Sequence, residues 1–253
     1  MDWRDSVLKR DRKLMWGLMD IKVKGFLETS FLDWPGKVSA VVFFPGCNLR
    51  CPFCHNWRLF AEPEAFLDVP LPYIFFKLKS LRDWIDGVTL SGGEPTLQSG
   101  LMRFIGELKR RSFQVKLDTN GTNPQILRDL MEKGLIDFVA MDVKAPLDPF
   151  HYKKATGVNA EVEKIKESIE ILKEGNIPYI LRMTYVPGLH TEDDLLQLAS
   201  QLKGKGRLVL QNFDPTNAYD PSLRLQKPLS EKRLKELQKL VDKLMGFTSS
   251  EDL

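Results

Sequence analysis

Residues 38–56 read VSAVVFFPGCNLRCPFCHN. Val38–Phe44 is apolar and β-branched apart from Ser39, which reads as a buried strand. Pro45-Gly46 follows, then C-x3-C-x2-C: Cys47, Cys51 and Cys54, the only cysteines among 253 residues. An odd, tightly clustered set is a poor disulfide framework. Thiolates this close can instead wrap one metal centre, with Pro45, Gly46 and Pro52 helping the backbone turn around it. Structural zinc takes four ligands. The nearby fourth candidate, His55, is adjacent to Cys54, and adjacent side chains rarely converge on one ion. An iron–sulfur cluster commonly takes four thiolates. Three leave one iron with an open position, where a ligand or substrate binds. Three unrelated buried thiols are the bland alternative.

Working outward, apolar β-branched runs recur at Gly87–Leu90, Gln114–Leu117, Phe138–Met141, Tyr179–Met183 and Leu208–Asn212. Helical patterns separate them, at Leu71–Trp84, Leu101–Arg111, Pro124–Lys133, Glu161–Glu174, Thr191–Lys203 and Ser230–Leu244. Asn123-Pro124 reads as N-cap then first helical residue, and Thr191 precedes an acidic first turn. Gly134 and Gly175 sit where C-caps belong. Six repeats of strand then helix imply α/β architecture, a parallel sheet with helices outside. Right-handed crossovers curl such a sheet toward a barrel, and eight units make the full (β/α)8 form. Six units after a long preamble predict a partial (β/α)6 barrel, open on one side. Residues 1–18 read as a basic extension, poorly ordered or a mobile helix, and residue 19 begins a strand-like stretch, MDIKVKGFLETSF. No Pro/Gly/Ser-rich linker and no short repeat divides the rest, so 19–253 is expected to be one domain.

Composition narrows the function. Lys+Arg 37 against Asp+Glu 34 gives a net charge of +3, too weak a bias to argue for nucleic acid or an anionic membrane. No apolar run approaches the ~20 residues a spanning helix needs. The first twenty residues scatter charges with no apolar core, unlike a secretory signal. A soluble cytoplasmic protein is expected.

In parallel α/β folds the chemistry lies at the C-terminal strand ends. There the sequence places the Cys loop, then Ser91-Gly92-Gly93-Glu94-Pro95, Asp118-Thr119-Asn120-Gly121, Met141-Asp142-Val143-Lys144, Arg182 with Thr184, and Asn212-Phe213-Asp214. Each has a plainer reading. Gly-Gly-Glu-Pro and Asp-Thr-Asn-Gly are common turn sequences. Asp142 and Lys144, two apart on a strand, share a face and can form a simple ion pair. Arg182 can be structural, and His151 and His190 read as ordinary surface or loop histidines. The ordered combination with the Cys loop points to a site.

C-x3-C-x2-C followed by Gly-Gly-Glu-Pro resembles the radical S-adenosylmethionine (SAM) superfamily, and the resemblance spans about Gly25 to Pro215. Asp33-Trp34-Pro35-Gly36, Phe43-Phe44-Pro45-Gly46-Cys47 and Cys54-His55-Asn56 resemble the glycyl-radical-enzyme activases. The run Gly25–Lys37 is similar to the subgroup labelled anaerobic ribonucleoside-triphosphate reductase activating proteins. The resemblance implies a radical SAM barrel in which Cys47, Cys51 and Cys54 hold a 4Fe–4S cluster with one open iron that SAM chelates. One electron would cleave SAM to methionine and a 5′-deoxyadenosyl radical, which takes a hydrogen atom from a glycine of a partner enzyme. By position, Gly92, Gly93 and Glu94 would meet the amino end of SAM and Phe53 its adenine. Asp118, Thr119 and Asp142 would hold a monovalent cation. Lys144 would pair with the SAM carboxylate, Arg182 would help hold SAM, and Asp33 would help place the partner's glycyl loop. Where some activases have a sixth-strand His, this chain has Asn212-Phe213-Asp214. Every cysteine is used, so no second cluster is expected, and electrons would come from flavodoxin or ferredoxin.

The expected partner is anaerobic ribonucleoside-triphosphate reductase, with pyruvate formate-lyase or another glycyl radical enzyme as the alternative. A radical SAM enzyme acting on a small molecule or RNA is a further reading. A zinc or iron–sulfur interaction module is the non-enzymatic one, and it leaves the ordered strand-end motifs unexplained.

Overall fold

The computed structural model describes residues 20–247. The extension expected over residues 1–18 lies outside the described residues. Seven strands are present: β1 (Gly25–Ser30), β2 (Ser39–Phe44), β3 (Gly87–Gly92), β4 (Gln114–Thr119), β5 (Phe138–Asp142), β6 (Tyr179–Tyr185) and β7 (Leu208–Asn212). Their order in the sheet is their order in sequence. Six fall where the sequence puts them. The seventh, β1, lies in the strand-like preamble and runs antiparallel to β2, with Phe26 opposite Val42. A connection with no helix in it can return only as an antiparallel neighbour. The pairs β2/β3, β3/β4 and β6/β7 are parallel.

The helices are α1 (Arg58–Ala61), α2 (Leu71–Ser80), α3 (Leu101–Arg110), α4 (Pro124–Glu132), α5 (Pro149–Thr156), α6 (Val162–Glu174), α7 (Glu192–Gln201) and α8 (Glu231–Met245). Thr191 and Asp194 close a reciprocal capping box on α7. Gly175 ends α6 in an extended conformation, not the left-handed one. The short helix α5 went unread in the sequence, although its signals are local. Asp148 accepts from Phe150 N and His151 N, Pro149 opens the helix, and left-handed Gly157 closes it.

The chain packs as two compact units whose segments interleave along the sequence, and each is described by itself. The first runs through Cys47 and includes Arg58–Asp118 and Asp129–Val139; the second holds Asn48–Trp57, Thr119–Arg128 and the chain from Ala140. In the first unit strand alternation separates two faces. Ala40, Val42, Phe44, Val88, Leu90, Val115 and Leu117 are fully buried. Phe44 meets Phe104 of α3 edge-on at 5.9 Å. The other face carries Ser39, Thr89, Ser91, Lys116 and Asp118, with the Ser39 and Thr89 hydroxyls 3.0 Å apart. In the second unit Met183 pairs with Leu210 across β6/β7. Gln238 of α8 bonds both Leu208 O and Leu210 N of β7, fixing that helix against the strand. Among the described residues no helix is long and apolar enough to cross a membrane.

Candidate active site

In the first unit the Gly-Gly-Glu turn is built against the chain entering the Cys loop. Gly93 N donates to Phe44 O at 2.9 Å and Glu94 N to Gly46 O at 2.8 Å. Gln98 Nε2 donates to Pro45 O at 2.8 Å. A Cβ on Gly92, whose φ is +115°, would lie 2.4 Å from Phe44 N, and one on Gly93 would lie 1.9 Å from Gly46 O. Both positions therefore exclude any side chain, because the two backbones touch there. Glu94 is 1% exposed. Its carboxylate accepts from Thr96 N at 3.1 Å and Thr96 Oγ1 at 2.6 Å, capping the turn that follows. The motif thus has a scaffold role of its own beside the role toward SAM that the resemblance implies.

At the end of β4, Asp118 accepts from Ser91 Oγ at 3.1 Å and pairs with the Lys116 ammonium. Asp33 lies in the loop from β1 to β2 and accepts from Ser30 Oγ at 2.5 Å. Ser30 pairs with Ser39, the first residue of β2, whereas the Cys loop follows Phe44, the last. Asp33 is therefore at the opposite end of β2 from Cys47, about 17 Å along the strand at the usual rise. Its neighbour Trp34 is buried against Phe138, while Phe31 and Leu32 are 76% and 94% exposed.

In the second unit the rest of the Cys loop is tied at three points. Asn48 Nδ2 donates to Thr122 Oγ1 at 2.8 Å, and Asn120 Nδ2 donates to Asn48 Oδ1 at 3.0 Å. Arg50 N donates to Thr156 O at the end of α5, and Asp220 N donates to Pro52 O, each at 2.8 Å. Gly157 must be a glycine, since a Cβ there would lie 2.6 Å from Arg50 O. Thr119 Oγ1 accepts from Gly121 N at 3.2 Å, holding the turn after β4.

Asp142 is the hub of this unit. Its two oxygens meet Lys144 Nζ at 3.0 Å and Arg182 Nε at 2.8 Å. Burial alone would raise the Asp142 pKa, but Arg182 and Lys144 overcome it and hold the carboxyl down at about 2. Burial works against the charge on Lys144, and Asp142 with nearby Cys51 holds its pKa above the ordinary lysine value. Lys144 Nζ also lies 6.0 Å from the centre of the Phe53 ring. The strand-end charges and the Cys loop thus meet at Lys144, Phe53 and Cys51.

Asp214, just past the end of β7, accepts from Thr216 N and stands 3.8 Å from His55 Nδ1, next to Cys54. Three other residues differ from their sequence reading or escape it. His190, expected to be an ordinary surface or loop histidine, is 5% exposed. Its Nδ1 accepts from Val186 N at 3.1 Å, and its ring meets Phe53 edge-on at 5.9 Å. The tight Val186–His190 turn after β6 folds the ring inward. Burial, ahead of the charges around it, lowers its pKa to about 4. His151, also read as surface or loop, is half-buried, with Asp148 at 2.6 Å and Asp194 at 3.3 Å. Lys116 was unread, although alternation along β4 places it on the same face as Asp118.

The family description "Radical SAM superfamily" matches residues 41–202. A provisionally named glycyl-radical enzyme activating enzyme, MJ1227 of Methanocaldococcus jannaschii, is 36% identical over 230 residues, covering 89% of this chain and 93% of that protein. The pyruvate formate-lyase-activating enzyme of Streptococcus mutans is 30% identical over 185 residues, covering 68% of each. Among solved structures, coproporphyrinogen III oxidase (HemN) from Escherichia coli superposes with a TM-score of 0.57 at 14% identity, covering 81% of this chain and 51% of that one. The fold is thus the α/β partial barrel of radical SAM structures. The chain belongs to the radical SAM superfamily and, within it, to the glycyl-radical-enzyme activating enzymes, and it is an enzyme.

That family implies a 4Fe–4S cluster and SAM. The residues present fit the pair. None of the three cysteines is in a disulfide. Cys51 lies near the buried Lys144 ammonium, and the Phe53 ring between the second and third cysteines stands 6.0 Å from it.

Proposed function

We propose that this chain activates a glycyl radical enzyme by reductive cleavage of SAM and removal of a hydrogen atom from a backbone glycine of that partner. The observation that carries the reading is the meeting of Asp142, Lys144 and Arg182 with Phe53 and Cys51 of the Cys loop. The cluster and SAM, when bound, supply the one-electron chemistry. Cys47, Cys51 and Cys54 would hold the cluster, and SAM would bind beside them.

The chain's own work is binding and orientation. Asp142 holds Lys144 charged and fixes it beside Arg182, so two cations are ready for a carboxylate. Phe53 offers an apolar surface to adenine, backed by the His190 ring. Gly92 and Gly93 keep the Glu94 backbone against the entrance to the Cys loop, where the SAM amino end would lie. Asp118, Thr119 and Asp142 are the positions proposed for a monovalent cation. Asp33, with exposed Phe31 and Leu32 beside it, is proposed to contact the partner and not SAM.

The remaining parts of the reading are proposals of the same standing. The partner is anaerobic ribonucleoside-triphosphate reductase, supported by the Gly25–Lys37 resemblance, with pyruvate formate-lyase as the alternative that the Streptococcus mutans relative supports. Flavodoxin or ferredoxin donates the electron, no nucleic acid or membrane is engaged, and the location is cytoplasmic. One radical SAM domain over residues 19–253 is part of this reading, since the family match runs through segments of both units.

The test is electron paramagnetic resonance. The reconstituted, reduced protein is mixed with SAM and each candidate partner under anaerobic conditions. A glycyl radical signal on the reductase alone supports the assignment. A signal only on pyruvate formate-lyase moves the partner, and none on any glycyl radical enzyme removes the activase reading.

A further inference from the structure

We infer that Lys116 is the resident cation at Asp118, so that this chain holds SAM without potassium or sodium. The inference rests on the SAM-binding reading above and replaces one part of it, the monovalent cation.

The geometry begins with the strand. Lys116 and Asp118 are two apart on β4 and so point to the same face. Lys116 is opposite Thr89 in the β3/β4 register. It thus lies in the polar file of Ser39, Thr89 and Ser91, whereas Val115 and Leu117 occupy the apolar face. Lys116 is fully buried, its side chain 1% exposed, and its ammonium pairs with the Asp118 carboxylate. A lysine so deeply buried is tolerated only when charge-paired. The stem follows the strand toward its C-terminal end and delivers a full positive charge to Asp118 where the strand-end chemistry begins.

The charge count supports the same conclusion. Two carboxylates were expected to share a monovalent cation, Asp118 and Asp142. Lys116 stands at Asp118, and Lys144 and Arg182 stand at Asp142. Within its own unit each carboxylate is thus already matched by side-chain cations. A further small cation at either one would meet a positive charge at contact distance. The third expected ligand, the Thr119 hydroxyl, accepts from Gly121 N in the turn that follows. A tethered ammonium holds its place at no cost in ion-binding entropy, and its effect does not depend on the surrounding salt.

The experiment compares potassium, sodium and choline chloride at equal ionic strength. Choline is too large for a strand-end cation site. One readout is the melting temperature of the apo-protein, and the second is SAM affinity of the reconstituted protein by anaerobic equilibrium dialysis. The wild type is expected to give the same value in all three salts for both. Lys116→Met keeps the stem and removes the charge. In choline it is expected to melt lower and to lose SAM affinity by about tenfold. Potassium or sodium, but not choline, should restore a substantial part of both. A merely structural lysine would give no cation-selective recovery.

A wild type whose stability or SAM affinity rises saturably with potassium or sodium over choline would overturn the inference. So would a folded Lys116→Met protein with no cation-selective recovery. If that variant does not fold, the wild-type comparison decides alone. A wild type that binds no SAM in any salt removes the SAM-binding reading, while the melting comparison still decides whether Lys116 is the cation at Asp118.

Discussion

Glu94 N donates to Gly46 O at 2.8 Å, fastening the turn after β3 to the residue that precedes Cys47. The shape of the Gly-Gly-Glu-Pro turn therefore has a cause within the chain. It sets where the first cysteine leaves the strand. Gly93→Ala would place a methyl group 1.9 Å from Gly46 O and 2.6 Å from Gly46 C, against rigid backbone. The expected result is destabilisation of about 3 kcal/mol and reduced iron per chain after reconstitution. A Gly93→Ala protein with wild-type melting and full iron would show that the contact is not limiting.

Asp142 ties Lys144 to Arg182, and removing its charge leaves two cations in a largely buried place. Asp142→Asn is expected to cost about 3 kcal/mol and to weaken SAM binding, with iron content retained because no cysteine is displaced. Iron analysis beside SAM dialysis checks this. Loss of iron would mean that the trio holds the Cys loop and not SAM. The sign of the pH effect is fixed by the lowered pKa. The stability Asp142 contributes is present above the ordinary value of 3.8 and is lost as pH falls toward about 2. From pH 8 to pH 5 this group is silent.

His190 acts in a different window. Its pKa is lowered from 6.5 to about 4, so the folded protein keeps the ring neutral while the unfolded chain protonates it. Stability is full above 6.5 and falls as pH drops from there toward 4, by about 2 kcal/mol at pH 5. Denaturant titrations at pH 7 and pH 5 check this, with His190→Gln expected to flatten the difference. An unchanged pH dependence in that variant would assign it to other groups, such as Asp194 and the lysines Lys144 and Lys154 near the ring.

Asp33 is at the far end of β2 from Cys47, and its carboxylate is held by Ser30. Asp33→Ala is expected to leave SAM cleavage without partner unchanged and to lower glycyl radical yield on the partner. Equal loss of both would make Asp33 structural, a consequence of loosening the loop that carries buried Trp34.

Much of this was legible in the sequence because the signals were local. Val38–Phe44 and its five successors became strands, and Thr191 capped its helix as the acidic first turn implied. The Asp142–Lys144 ion pair was expected from their two-residue spacing, but β5 ends at Asp142 and Lys144 lies just past it. What escaped depended on tertiary partners. His190 carries no pattern that says it folds back onto Phe53; that comes from the tight turn after β6. Asn48 looks like any polar loop residue until Asn120 and Thr122 arrive beside it. Gly157 is obligatory only because Arg50 O passes over it. Helix α5 and Lys116 were readable, the one from Asp148-Pro149 and Gly157, the other from its spacing to Asp118.

The central claim is that Cys47, Cys51 and Cys54 hold a cluster that cleaves SAM. The most direct measurement is 5′-deoxyadenosine formed by the anaerobically reconstituted, reduced protein with SAM. The account predicts product from the wild type and none from Cys51→Ala, with iron and sulfide lost in step. Full SAM cleavage by Cys51→Ala, or a wild type that assembles no iron–sulfur cluster, would contradict it.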